Sequence, residues 1–195
     1  MTSRVFYLTH PQVHIDPAVP IQSWGLSSIG RARTESFAKA RRLKPTVRIV
    51  SSAERKALET ARIIAAELST TVELREAMHE NDRTATGFLP PDEFDIVVDQ
   101  FFARPAVSVR GWERAVDAQD RIVREAEHVL TQDADGDILF VGHGAVGTLL
   151  LCHYAGLGID RAHDQPGGGG NYFGLIKEGR RVIHRWRRME AWACD

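Results

Sequence analysis

Two histidines, far apart in the chain, each follow a short apolar run. His10 closes Val5-Phe6-Tyr7-Leu8-Thr9, and His143 follows Ile138-Leu139-Phe140-Val141-Gly142. Such a run, ended by a polar group and followed by helix-like sequence, has the pattern of a buried parallel strand. It delivers a side chain to the sheet's carboxyl edge, where open α/β sheets bind ligands. A third junction of this kind, Val47-Arg48-Ile49-Val50-Ser51-Ser52-Ala53-Glu54-Arg55, puts Arg55 in the first turn of a helix. Two imidazoles and a guanidinium at one sheet edge suit an anion, above all a phosphate.

A neutral imidazole at a strand end can attack phosphorus and form a phosphohistidine that water then hydrolyses. The reaction needs a donor-rich, positive pocket for the non-bridging oxygens. Arg55, a protonated His143 and the backbone amides that begin with Gly144 at a helix N-terminus are the expected donors. It also needs a proton donor for the leaving oxygen, and Glu80 or, as second choice, Asp82 in His79-Glu80-Asn81-Asp82-Arg83 can supply one. The tautomer of the attacking ring must be fixed through its other nitrogen, often by a backbone carbonyl. Each residue also has a plainer role. His10 alone would be a structural histidine, Arg55 could pair with Glu59 one helical turn on, and Glu80 could be a solvated loop residue. Three such junctions at equivalent strand ends favour the functional reading of His10. The other six histidines, His14, His79, His128, His153, His163 and His184, have no comparable setting.

The elements that must position these groups are legible in outline. After the first strand, Pro11 to Gly25 holds three prolines and no helical period, the pattern of a long loop over the sheet edge. Ser27 or Ser28 caps a helix running to about Arg42, with Ile29, Arg33, Phe37 and Ala40 as its inner stripe and Pro45 beyond its end. Ser51 to Glu54 fits a capping box for a second helix with Leu58, Ala61, Ile64, Ala65 and Leu68 inward. A short strand at Val72 to Leu74 precedes a second long loop, Glu76 to Pro91. Two amphipathic helices follow, one around Phe94 to Phe101 and one from Trp112 to Leu130. Residues 133–136 read as a turn, Asp137 to Gly142 as the strand before His143, and Gly144 to Ala155 as a buried helix. Gly167 to Gly170 reads as a flexible loop, and Tyr172 to Ile176 with Arg181 to Trp186 as a closing hairpin.

Bulk properties limit the classes open to it. The 195 residues are 43% hydrophobic and 26% charged, with net charge −1 and an isoelectric point near 6.7. This suits one domain, 1–195, with its own core, and gives no field suited to nucleic acid or an anionic membrane. No leader-like start or bilayer-length apolar run is present, so cytoplasmic residence is the expectation. Cys152 and Cys194 make neither a disulfide framework nor, with the histidines, a spaced metal set; no metal or cofactor is expected.

These pieces resemble the histidine phosphatase superfamily, the phosphoglycerate-mutase-like proteins, over nearly the whole chain. Phe6-Tyr7-Leu8-Thr9-His10 is similar to the family's first strand and nucleophile, and Gly25 to Arg33 to its leucine-serine/threonine-x-x-glycine helix start. Ser51 to Ala61 resembles the serine-x-x-x-arginine-alanine-x-x-threonine-alanine segment, which carries phosphate binding over to Arg55. Met78-His79-Glu80 falls where the family supplies its acid, and Val141-Gly142-His143-Gly144 is similar to the second histidine-glycine motif. The resemblance implies a three-layer α/β/α sandwich with a mainly parallel sheet and a small cap around residues 80–111. It implies a metal-independent phosphomonoesterase acting on a phosphorylated small molecule or phosphoprotein, with His10, Glu80 and His143 catalytic and Thr9, Arg55, Arg83 and Gly144 on the substrate. The first motif departs from the family's arginine-histidine-glycine, reading Thr9-His10-Pro11. Threonine brings a hydroxyl without charge, Pro11 removes an N–H, and Arg83 is the cation that would replace the lost charge. A binding module that has lost turnover is the alternative from another class. A phosphomutase fits less well, because the segment from Asp82 to Gly111 is short for enclosing a bisphosphorylated intermediate.

Overall fold

A computed structural model of the chain describes residues 2–40, 43, 47–132 and 136–192. Pro45 and Arg42 at the expected end of the first helix, most of the 133–136 turn and Cys194 lie outside them. Among the described residues the strands are β1 (Arg4–Thr9), β2 (Arg48–Ser52), β3 (Val72–Arg75), β4 (Ile138–Gly142), β5 (Asn171–Ile176) and β6 (Val182–Arg188). The helices are α1 (Ser28–Lys39), α2 (Arg55–Leu68), α3 (Pro91–Ala103), α4 (Ala115–Leu130) and α5 (Gly144–Tyr154). The sheet order is β3-β2-β4-β1-β5-β6. β1 to β4 are parallel, and the β5–β6 hairpin closes one side antiparallel to β1 and to itself.

The sheet is central because its strands are apolar on both faces. Period-2 alternation sends Val5, Tyr7, Ile138 and Phe140 into a core with α3, α4 and α5, and Phe6, Leu8, Leu139 and Val141 into a second core with α1 and α2. The result is the expected three-layer arrangement. Phe101 and Phe102 both belong to the first core, each about 1% exposed. Among the described residues no helix is long and apolar enough to cross a membrane.

Three local expectations are corrected. In α1 the buried positions are Gly30, Thr34, Phe37 and Ala38, whereas Ile29 is 63% exposed. The helix is turned by one position because Gly30 packs on the Pro11–Gly25 loop, where a Cβ would lie 2.1 Å from the Gln12 carbonyl oxygen. Ser27 caps it, its Oγ accepting from Gly30 N at 3.1 Å. At α2 no capping box forms: Glu54 is the N-cap residue with no side-chain cap bond, and its own N–H donates to Ser52 Oγ at 3.2 Å. The Gly167–Gly170 segment is tied down and not free. Gly170 N–H donates to the His10 carbonyl at 3.1 Å. Gly169, at φ +61°, comes so close that a Cβ would sit 2.4 Å from that oxygen.

Register decides what meets at the carboxyl edge. Thr9 lies opposite Gly142 and Ser51 opposite Val141, so β1, β4 and β2 end side by side. The residues that follow them, His10, His143 and the first turn of α2, therefore share one edge.

Candidate active site

His10 stands at the end of β1 with its backbone held from both sides, its N–H donating to the Gly142 carbonyl at 3.0 Å. Its Nδ1 lies 2.9 Å from the Pro11 carbonyl oxygen. A carbonyl can only accept, so the ring proton is on Nδ1 and Nε2 keeps its lone pair. Burial, reinforced by the Lys56 ammonium, pushes the imidazole down to about 4, which leaves it neutral near pH 7. The His143 ring is fully buried, its centroid 5.3 Å from that of His10. Its Nε2 is 2.8 Å from Ser52 Oγ, and its Nδ1 is buried without a partner among the described residues. Tyr7 holds the same turn, its hydroxyl accepting from His143 N–H at 3.0 Å.

Glu80 reaches this edge from the loop after β3. One carboxyl oxygen accepts from Val146 N–H at 3.1 Å and from its neighbour Asn81 at 3.1 Å, and the other accepts from Ala145 N–H at 3.3 Å. The first amides of α5, expected to face a phosphate, thus serve this carboxylate in their place. Burial raises the Glu80 pKa, helped by the neighbouring Glu54 carboxylate, and prevails over Arg83 and the amides, which act the other way. Asp82 differs in every respect. Its Oδ1 accepts from Thr84 N–H and hydroxyl at 2.9 and 2.8 Å, and these bonds lower its pKa.

Arg55 and its neighbour Lys56 are placed on different sides of the helix surface, one in solvent and one in the cleft. Arg55 points to solvent, its side chain 63% exposed and its Nε 2.8 Å from Glu59 Oε1, the plainer role open to it. Lys56 is the α2 residue in the cleft, 4% exposed. It donates to the Ile21 carbonyl at 3.0 Å and pairs with Glu54, a carboxylate that sequence reading left aside. Glu54 is itself buried. Burial works against its charge, but His143, the Lys56 ammonium and the Glu80 N–H prevail and hold its carboxyl down to about 2. Arg83 does fold inward, with its guanidinium carbon 4.8 Å from the Phe94 ring centroid and 6.0 Å from that of Trp112. It has no ion-pair partner among the described residues.

Thr9, expected on the substrate, is fully buried and turned away from the cleft. Its hydroxyl donates to Gln165 Oε1 at 2.7 Å and accepts from Asn171 N–H at 3.0 Å. Asn171 Nδ2 grips the same Gln165 oxygen at 3.0 Å. The Gln165 amide is thereby oriented with Nε2 beside Gly144, where a Cβ would be only 2.4 Å from it. Gln165 lines the cleft together with Gly144, Ala145 and Asn81, whose buried Nδ2 has no partner among the described residues. The cleft, of about 220 Å³, thus gathers His10, Lys56, Glu80 and Arg83. It leaves out Arg55, Thr9, Asp82 and the fully buried His143, whose ring packs against that of His10. Sequence reasoning missed Glu54, Lys56 and Gln165.

The chain belongs to the histidine phosphatase superfamily (branch 1), whose model matches residues 19–187. His10 precedes that match, so its place in the site rests on the geometry above. Bacillus stearothermophilus YhfR is similar over 99% of this chain and 97% of its own, at 20% identity and a TM-score of 0.79. A mutant of Entamoeba histolytica phosphoserine phosphatase in complex with phosphoserine aligns over 96% of this chain and 98% of its own (16% identity, TM-score 0.77). The mycobacterial glucosyl-3-phosphoglycerate phosphatase does so over 96% and 97% (19% identity, TM-score 0.74). These likenesses establish the shared fold. No curated protein matches the sequence.

Proposed function

We propose that this protein is a phosphomonoester hydrolase that works through a phosphohistidine on His10 without a metal ion. The observation that carries the reading is the Nδ1 contact of a neutral His10 with the Pro11 carbonyl, which leaves Nε2 free as a nucleophile in a cleft shared with Glu80, Lys56 and Arg83. In the first step the Nε2 lone pair forms the N–P bond while the ester P–O bond breaks, and the Glu80 carboxyl gives its proton to the departing oxygen. In the second, water attacks phosphorus and yields a proton to the Glu80 carboxylate. The N–P bond breaks, and phosphate and neutral His10 are released. Lys56 and Arg83 hold the phosphoryl oxygens, whose charge changes most along the path, and the buried His143 ring packs against His10. Residues 80–111 serve as the cap of a single catalytic domain, and the substrate is a phosphorylated small molecule.

The test is turnover of 4-nitrophenyl phosphate with chelator present, wild type beside His10→Ala, with a rapid-quench search for an acid-labile, base-stable phosphoryl adduct. Turnover and adduct should both vanish in the variant. Equal rates in the two proteins would refute the proposal. Phosphate binding with no turnover would instead support the binding-module reading, which the pairing of Lys56 with Glu54 and the uncharged Thr9 favour.

A further inference from the structure

The cleft has two unlike halves. Three cations line it, but two are already matched. Lys56 is in contact with Glu54. Arg161 is held by Asp95 at 2.8 Å and Asp99 at 2.7 Å. Among the described residues Arg83 is left as the cation with no ion-pair partner, and Asn81 Nδ2, the buried cleft-lining donor without a hydrogen bond, is a neutral amide. The cleft therefore accommodates the charge of one phosphoryl group. The rest of its wall is apolar and largely aromatic, formed by Trp24, Phe94, Val98, Phe101 and Trp112. At about 220 Å³ it lies below the roughly 300–1,000 Å³ of sites for drug-sized ligands.

Resting on the phosphatase reading and taking it further, we infer that the cleft selects phosphomonoesters whose leaving group is compact, uncharged and ring-bearing, and selects against esters that carry a second anion. A carboxylate placed beside the phosphoryl group would lose its water against aromatic rings and meet no unmatched cation. A planar apolar group would exchange water for ring contacts.

Calorimetric titration with three non-hydrolysable probes tests this without requiring turnover: phenylphosphonate, methylphosphonate and 2-carboxyethylphosphonate. Phenylphosphonate should bind at least tenfold more tightly than either of the others. Binding of the carboxyethyl compound as tight as that of the phenyl compound, or no advantage of phenyl over methyl, would overturn the inference. Val13→Lys, at a half-buried loop position on the cleft wall, should raise affinity for 2-carboxyethylphosphonate severalfold and leave phenylphosphonate no tighter. An affinity for 2-carboxyethylphosphonate unchanged in that variant would also count against it. A phenyl preference without turnover would sink the hydrolase reading alone, and turnover without that preference would sink the ligand class alone.

Discussion

Glu80 combines burial with three backbone donors, and burial prevails, so its carboxyl keeps its proton to higher pH than an ordinary glutamate. If this proton goes to the leaving oxygen, its removal should matter in proportion to the basicity of that oxygen. Glu80→Gln is expected to slow hydrolysis of an alkyl phosphate by about 10²–10⁴-fold and of 4-nitrophenyl phosphate far less; equal losses on both would show that Glu80 is not the acid. The wild-type rate should fall on the acid side as His10 protonates near pH 4, and on the alkaline side as Glu80 ionises above its usual range. For the cations the expected order is plain. Arg83→Ala should weaken phosphate binding by roughly ten- to a hundredfold, the effect of losing one charged hydrogen bond, and Lys56→Ala should do comparable harm. Arg55→Ala should change it less than twofold, as expected for an exposed i,i+4 pair; inhibition constants for inorganic phosphate would settle all three. The contrast between the neighbours Arg55 and Lys56 has a physical lesson. Counted back from Thr60-Ala61 the basic position of the motif falls on Lys56, which continues the Thr60–Ile64 face of α2, whereas Arg55 falls in line with Glu59. The helical period already carried that distinction. Nothing local in the sequence tells that Thr9 would spend its hydroxyl on Gln165, a residue 156 positions away.

At the scale of elements, the loop that carries Glu80 and Arg83 is held from outside as well as by its own bonds. Arg121 of α4 donates to the carbonyls of Ala77 at 2.8 Å and His79 at 2.9 Å and is anchored by Glu113 at 2.7 Å. Arg121→Ala should leave the fold intact and lower kcat by tenfold or more, with altered protection of the amides around residues 79–83 in hydrogen exchange. A variant with wild-type kcat would show that the loop holds its shape unaided. The helices and strands themselves were largely readable, because their apolar periods and turn residues are local signals. The facing of α1 was not, since the Gly30 contact with Gln12 that rotates it belongs to the tertiary structure.

For the whole molecule, two imidazoles kept neutral by burial make stability depend on pH. In the unfolded chain a histidine binds its proton near 6.5, whereas folded His10 does so only near 4 and folded His143 well below 6.5. Between these values the unfolded state holds more protons, so stability is full above about pH 6.5 and is lost as pH falls toward 4. His10 alone accounts for roughly 2–3 kcal/mol of that loss. Glu54, held near 2, adds to it only below its unfolded value of 4.5, and Glu80, raised, contributes in the opposite sense. Urea midpoints should therefore fall from pH 7 to 4.5, more shallowly in His10→Gln. A midpoint constant over that range would contradict the buried, neutral state of both rings.

The strand that bears His10 is made first and completed late. Its hydrogen-bonded neighbours begin at Ile138 on one side and Asn171 on the other, and the Gly170 amide closes the turn around His10 itself. While a ribosome extends the chain, Val5 to Leu8 must therefore wait, apolar and unpaired, until Ile138 to Gly142 have emerged, and half-paired until Asn171 to Ile176 have followed. Contacts so distant along the chain make for slow folding and leave such a segment open to the wrong partners meanwhile. The centre of the sheet is thus also the part of the nascent chain with most to gain from a chaperone.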